Sequence, residues 1–260
     1  MRLLLGKGTS GEVVEGSVEG VECAIKKMDR ADDVRGEVQA LRFLCGNPHV
    51  VQLLDVKFEG TRAHLYMEKL HKTLYAFCGK PDETLRITRA LAVAVESVHA
   101  CGITHGDLKP ANVMVDFEGR IKLIDFGLCT FAERSTFACI ATPQYRAPEV
   151  FMGGEYDRTL DVWSVGCIVY ELITDRMLFD VREEENVLDA IFDLLGTPDC
   201  NYWPEALALP AWEAVARQDR WRFGDFDGIK DPILRNTILT CVAYRPYRPT
   251  SRKLVAALVP

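Results

Sequence analysis

The chain has 260 residues, 48% hydrophobic and 27% charged, the balance of an ordinary soluble globular protein with room for one core or two lobes. A net charge of −7 with no basic tract argues against a nucleic-acid binder. The longest apolar run, Val162 to Thr174, is broken by Ser164 and Glu171 and is too short to span a bilayer.

Met1 to Gly6 is too short an apolar run for a signal peptide, and Arg2 excludes an N-myristoyl glycine. Nine single cysteines with no CxxC pair fit reduced thiols. An intracellular protein of cytoplasm, nucleus or both is expected, with no membrane partner.

Residues 3–28 alternate as strands do, around the glycine loop Gly6-Lys7-Gly8-Thr9-Ser10-Gly11. Alone, GxGxxG could be a dinucleotide fingerprint, but that site needs a helix directly after the glycines. Val13 to Lys26 reads instead as strand, turn and strand, so the loop is expected to be a hairpin tip over phosphates, its glycines letting backbone amides approach. A helix follows over about Asp33 to Cys45, capped by Asp32 or Asp33, with the stripe Val34, Val38, Leu41 and Leu44 or Cys45, and ended by Gly46-Asn47-Pro48. Val50 to Leu70 predicts two strands turning at Glu59-Gly60.

From Thr84 the period becomes helical: Thr84 as cap, Ile87, Leu91, Val95 and Val98 as stripe, and Gly102 as stop. Val113 to Ile124 reads as a hairpin. Asp161 to Leu172 is apolar nearly all round and predicts a buried central helix, and the last helices fall within 231–259.

Chemistry concentrates between Thr104 and Glu149. His105-Gly106-Asp107-Leu108-Lys109-Pro110-Ala111-Asn112 is followed by Asp125-Phe126-Gly127 and by Thr142-Pro143-Gln144-Tyr145-Arg146-Ala147-Pro148-Glu149. Metal-assisted phosphoryl transfer requires one carboxylate to accept the substrate hydroxyl proton, and a second carboxylate with an amide to hold Mg²⁺ on the phosphates. Asp107, Asp125 and Asn112 supply that set.

These motifs, behind Cys23-Ala24-Ile25-Lys26 and Glu37, resemble the eukaryotic-type protein-kinase signature along the whole chain. Lys109-Pro110 is the serine/threonine form. Tyr145-Arg146 before Ala-Pro-Glu, with Leu194-Leu195-Gly196-Thr197-Pro198 and Trp203-Pro204, is most similar to the CMGC group of cyclin-dependent and mitogen-activated kinases. The resemblance implies an α+β bilobal fold. Residues 1–70 would form a small β-rich N-lobe with one main helix, and 71–260 a larger, mainly helical C-lobe with an activation segment over 125–149 and an insert over about 192–230.

It also implies ATP and Mg²⁺ as cofactors and a protein Ser/Thr substrate. Asp107 would be the base, Lys109 the neutraliser of charge on the γ-phosphate, and Thr142 the contact to both. Lys26, oriented by Glu37, would hold the α/β-phosphates, and Asn112 and Asp125 the metal. Nucleotide would lie against Gly6, Gly8, Gly11, Val13, Ala24, Lys26 and the gatekeeper Met67. Backbone groups of the hinge, Glu68 to Leu70, would hold adenine. His105, Phe126, Leu41 and Leu53 would stack as an apolar spine, Asp161 would tie down the catalytic-loop backbone, and Arg248 would pair with Glu149. Arg146 would shape a pocket for proline after the phosphoacceptor, although Gln144 stands where Trp is usual.

The three arginines that normally bind an activation-loop phosphate are replaced by Gly106, Gly36 and Thr130. Each such contact contributes about 1.5–3 kcal/mol. Activity is therefore expected not to depend on phosphorylation at Ser135 or Thr136. The helix sequence that standard cyclins recognise is absent, which leaves the Glu37 helix open to a different activating partner. The competing reading is a kinase-shaped, non-catalytic binding or scaffold module. Such modules usually lose Lys26, Asp107 or Asp125, all of which are present.

Overall fold

The computed structural model describes residues 3–8, 11–30, 34–136, 141–199, 202–212 and 226–259. A five-stranded antiparallel sheet opens the chain: β1 (Leu4–Gly8), β2 (Gly11–Val18), β3 (Val21–Met28), β4 (Leu53–Glu59) and β5 (Arg62–Glu68), in spatial order β1-β2-β3-β5-β4. The β2–β3 turn has two residues, Glu19 and Gly20, with φ of 51° and 82°, the double left-handed pattern that matches strand twist.

Helix α1 (Arg35–Phe43) lies between β3 and β4. Its predicted stripe is buried at Val34, Val38, Leu41 and Leu44. The expected caps Asp32 and Asp33 lie outside the described residues.

The remainder is mainly helical. The two-residue strand β6 (Lys72–Thr73) pairs with the hairpin β7 (Val113–Val115) and β8 (Ile121–Leu123). Helix α2 (Pro81–His99) buries Ile87, Leu91, Val95 and Val98. It begins three residues before the predicted cap. Pro81 has no N–H to leave unpaired at the first turn, and the Thr84 hydroxyl donates back to the Lys80 carbonyl at 3.0 Å. After the short α3 (Pro148–Phe151), α4 (Thr159–Thr174) runs through the centre with nearly every residue buried. Helices α5 (Val187–Leu195), α6 (Pro232–Cys241) and α7 (Ser251–Leu258) complete the lobe. A Cβ at Gly166 would lie 2.7 Å from both Cys241 Cβ and Val242 Cγ2, so glycine there lets α6 settle onto α4.

Several buried polar groups in this lobe are tightly paired, which offsets the cost of burying them. Arg248 grips Glu149 through both nitrogens, at 2.6 and 3.0 Å, and lies over the Trp163 ring at 5.0 Å. Tyr145 donates to Glu171 at 2.6 Å, and Ser164 donates to the Tyr145 carbonyl at 2.8 Å, which fastens the end of the activation segment to α4. Burial pushes the thiols of Cys78 up to about 11 and of Cys129 and Cys241 up to about 12, whereas Cys45 and Cys101 are exposed. No described helix is long and apolar enough to cross a membrane.

Candidate active site

Strand register puts the upper half of the site on one sheet face. Val13 is directly opposite Lys26, Ala24 is opposite Met67, and Lys26 is opposite Leu65. Directly opposed residues share a face, as do Ala24 and Lys26 two positions apart. Val13, Ala24, Lys26 and Met67 therefore line one surface. Gly11 has φ of 135°, and a Cβ on it would fall 2.0 Å from the Lys27 carbonyl oxygen, so β2 can approach β3 there only with glycine. Gly6 and Gly8 lie on the adjoining β1, and Thr9 and Ser10 of the loop tip lie outside the described residues.

Lys26 is buried and bridges two acids. Its Nζ lies 2.8 Å from both oxygens of Glu37 and 2.8 Å from Asp125 Oδ1. Burial alone would lower its pKa, but the Glu37 and Asp125 carboxylates outweigh it and hold the ammonium above its usual range. Burial would likewise raise Asp125, yet Lys26, with His105 and Lys109, keeps it below the usual carboxylate range. Asp125 has φ of 63°, a left-handed conformation that costs a residue with a Cβ about 1 kcal/mol and so marks a constrained position.

Below it, four side chains converge. Lys109 Nζ lies 2.8 Å from Asp107 Oδ2 and 2.6 Å from Thr142 Oγ1. Asp107 Oδ1 accepts from the Thr142 amide at 2.8 Å and its hydroxyl at 2.9 Å. Asn112 Nδ2 donates to the Asp107 carbonyl at 2.8 Å and to Oδ2 at 3.0 Å. Asp107, Lys109, Asp125, Gly127 and Gly11 all line one cleft of about 870 Å³.

The loop carrying Asp107 is clamped from α4. Asp161 Oδ2 accepts the His105 amide at 2.7 Å, and Oδ1 accepts the Gly106 amide at 3.0 Å. Asp161 is fully buried, which would raise its pKa, but the His99 contact, His105 and the Gly106 N–H hold it low. His99, missed in the sequence reading, touches Asp161 through Nε2 and Ser251 through Nδ1, both at 2.8 Å. Its only sequence signal was a lone histidine in the last turn of an amphipathic helix. The His105 and Phe126 rings pack at 4.7 Å, tilted by 52°, with Phe126 fully buried; Leu41 is buried, and Leu53 packs half-buried against the same core.

The donor set fits a hard divalent cation held together with phosphate. With its Nδ2 spent on Asp107, Asn112 offers its carbonyl oxygen, and Asp125 offers Oδ2 beside the oxygen paired to Lys26. Mg²⁺ typically takes one or two protein oxygens and completes its shell from phosphate and water. No cluster of three His, Cys, Asp or Glu ligands occurs among the described residues.

Two features were beyond the sequence. Ala141 has φ of 65°, and its carbonyl accepts from Arg146 Nη2 at 2.9 Å and Nε at 3.3 Å. Arg146 in turn lies over the Phe151 ring at 4.9 Å and pairs with Glu184. On the opposite side, the exposed Phe43 of α1 meets Phe131 edge-on at 5.8 Å.

Comparison with known proteins agrees with this geometry. The family model described as protein kinase domain matches residues 2–256. A curated relative, the CTD kinase subunit alpha of Schizosaccharomyces pombe, is 29% identical over 273 aligned positions, which take in 96% of this chain and 46% of the relative. The chain thus spans about half the length of that relative.

Proposed function

The chain belongs to the protein kinase family, and on that premise we propose that it transfers the γ-phosphoryl group of ATP to serine and threonine side chains of proteins, with proline preferred after the phosphoacceptor. The observation that carries this reading is the convergence of Lys109, Thr142 and Asn112 on the Asp107 carboxylate, in a cleft shared with Asp125.

Asp107 takes the hydroxyl proton of the substrate, and the contacts from Thr142 and Asn112 fix its orientation. Lys109, already on Asp107, meets the charge that develops on the transferred group. Lys26, held by Glu37, orients the α/β-phosphates. Asn112 and Asp125 would hold Mg²⁺, which when bound neutralises charge on the β- and γ-oxygens. Val13, Ala24 and Met67 supply the apolar wall for the nucleotide beside Gly6, Gly8 and Gly11, and the Glu68–Leu70 backbone reads adenine.

Proline preference is supported by the engagement of the Ala141 carbonyl with Arg146. A substrate residue following the phosphoacceptor that brings an N–H to this position finds its acceptor taken, and proline alone brings none.

Independence from activation-loop phosphorylation is supported by backbone pairing. Thr104 and Thr130 exchange hydrogen bonds at 2.9 and 3.0 Å, and Ser135 and Tyr156 at 3.0 and 2.9 Å. Gly36 lies inside α1, where it costs about 1 kcal/mol relative to Ala. We place an activating partner, other than a standard cyclin, on that helix. The relative is described as a subunit, in keeping with such an assembly. An intracellular site of action, cytoplasmic or nuclear, belongs to the same reading.

The test is γ-phosphate transfer from Mg·ATP by the purified chain to Ser, Thr and Tyr peptides with and without a following proline, with Asp125→Ala as control. Transfer to Ser and Thr peptides that the control lacks is expected. ATP binding without transfer, alone or with candidate partners, would instead establish a non-catalytic module.

A further inference from the structure

Lys122, in the middle of β8, is 5% exposed and has no part in the chemistry described above. A buried ammonium needs a partner, and this one reaches across 54 residues of sequence to the hinge. Its Nζ lies 2.8 Å from Glu68 Oε1 and 3.3 Å from the Val50 carbonyl. The same Glu68 oxygen accepts the Gln52 amide at 2.8 Å, and the Glu68 amide donates to the Gln52 carbonyl at 3.0 Å. Glu68 is thus fastened through both backbone and side chain.

The next residue is fastened the opposite way. Lys69 pairs with Glu15 on β2 and lies 3.4 Å from Glu22 on β3. Adjacent hinge side chains therefore reach to opposite lobes, Lys69 to the N-lobe sheet and Glu68 to β8. Strand β8 leads directly into Asp125, and it is itself tied to the connecting segment: Leu123 donates to the His49 carbonyl at 2.8 Å and accepts from the Val51 amide at 3.0 Å.

We propose that Lys122 is a positioning residue for the nucleotide. Through Glu68 it fixes the adenine-reading hinge backbone relative to the strand that presents Asp125, so that base and phosphates are held in register. The proposal rests on the reading of Glu68 to Leu70 as the adenine site. Lys122 touches no reacting atom. Its loss therefore weakens nucleotide recognition and leaves phosphoryl transfer at saturating ATP and peptide binding unchanged.

The experiment compares KM for ATP and for the triphosphate of purine riboside, which lacks the exocyclic 6-amino group, together with kcat, peptide KM and thermal melting. Wild type is expected to favour ATP, because a hinge acceptor takes the 6-amino hydrogen. Lys122→Met is expected to raise the ATP KM about tenfold, the weight of one neutral hydrogen bond, and to narrow the preference between the two nucleotides. Lys122→Met/Glu68→Leu removes both charges. It is expected to recover any melting temperature lost in the single variant while keeping the raised ATP KM, which separates positioning from stability.

Wild type that treats both nucleotides alike overturns the hinge reading, and the proposal with it. Wild-type discrimination retained in full by Lys122→Met overturns the strut alone. A parallel change in kcat, ATP KM and peptide KM, restored together with melting in the double variant, reduces Lys122 to a structural role.

Discussion

Replacing Arg146 by Met tests what the left-handed turn at Ala141 does. The guanidinium gives the Ala141 carbonyl two donors, at 2.9 and 3.3 Å, and on the proposed reading this carbonyl is the acceptor that a following substrate N–H would otherwise meet. An N–H left without a partner costs about 1–3 kcal/mol, which corresponds to roughly 5- to 150-fold in kcat/KM between a proline peptide and its alanine counterpart. Methionine keeps an unbranched apolar side chain, frees the carbonyl and gives up the guanidinium contact over Phe151. Ala141, at φ of 65°, then also loses the contact that holds it in a conformation costing about 1 kcal/mol. The assay is kcat/KM on peptide pairs differing only at the residue after serine. The wild type should show a preference within that range, and Arg146→Met should bring it to within about fivefold, the smallest single unsatisfied donor. A wild type indifferent to proline, or a variant as selective as wild type, refutes the reasoning.

Other consequences are open to direct measurement. Ser135→Ala/Thr136→Ala should keep nearly the full rate, since backbone pairing at Thr130 and Ser135 orders the segment; a loss of about a hundredfold, some 2.7 kcal/mol, would contradict this. The Phe43–Phe131 contact joins α1 to the activation segment, and a double-mutant cycle with alanine on kcat/KM should give a coupling of about 0.5–1.5 kcal/mol, whereas strict additivity would show that the contact does not hold the helix. Asp161 has a folded pKa below its ordinary value, so its contribution to stability is present above the ordinary carboxylate range and disappears as pH falls through the folded value. Asp161→Asn should accordingly lose more unfolding free energy near pH 7 than near pH 3 in urea titrations, and equal losses would show that its charge contributes nothing.

Much of this architecture could be read from residues close together in sequence. The stripes on α1 and α2, the all-apolar α4 and the Asp107 to Asn112 cluster repeat at spacings that local geometry dictates, and the structure pairs Lys26 with Glu37 as the motifs implied, while its contact with Asp125 was not foreseen. The start of α2 was misplaced because Thr84 has the chemistry of a cap, whereas Pro81 already satisfies the first turn by lacking a donor. His99 on Asp161, Lys122 on Glu68 and Phe43 on Phe131 join residues 62, 54 and 88 positions apart, where no periodicity carries information. The left-handed Ala141 was hidden for another reason. Its conformation is imposed by a guanidinium five residues downstream and has no glycine or asparagine to signal it.

The raised thiols turn this chain into its own reporter. Thiolate, not thiol, reacts with alkylating reagents. Among the described cysteines, the exposed Cys45 and Cys101 should label first, while the half-buried Cys78 and Cys129 and the buried Cys241, their thiols pushed up by burial, should label more slowly. Cys129 follows Asp125 by four residues and shares its segment with Thr130 and Phe131. Its labelling rate against that of Cys241, packed against α4, is a clock that distinguishes release of the activation segment from melting of the whole lobe, with no residue of the chain replaced.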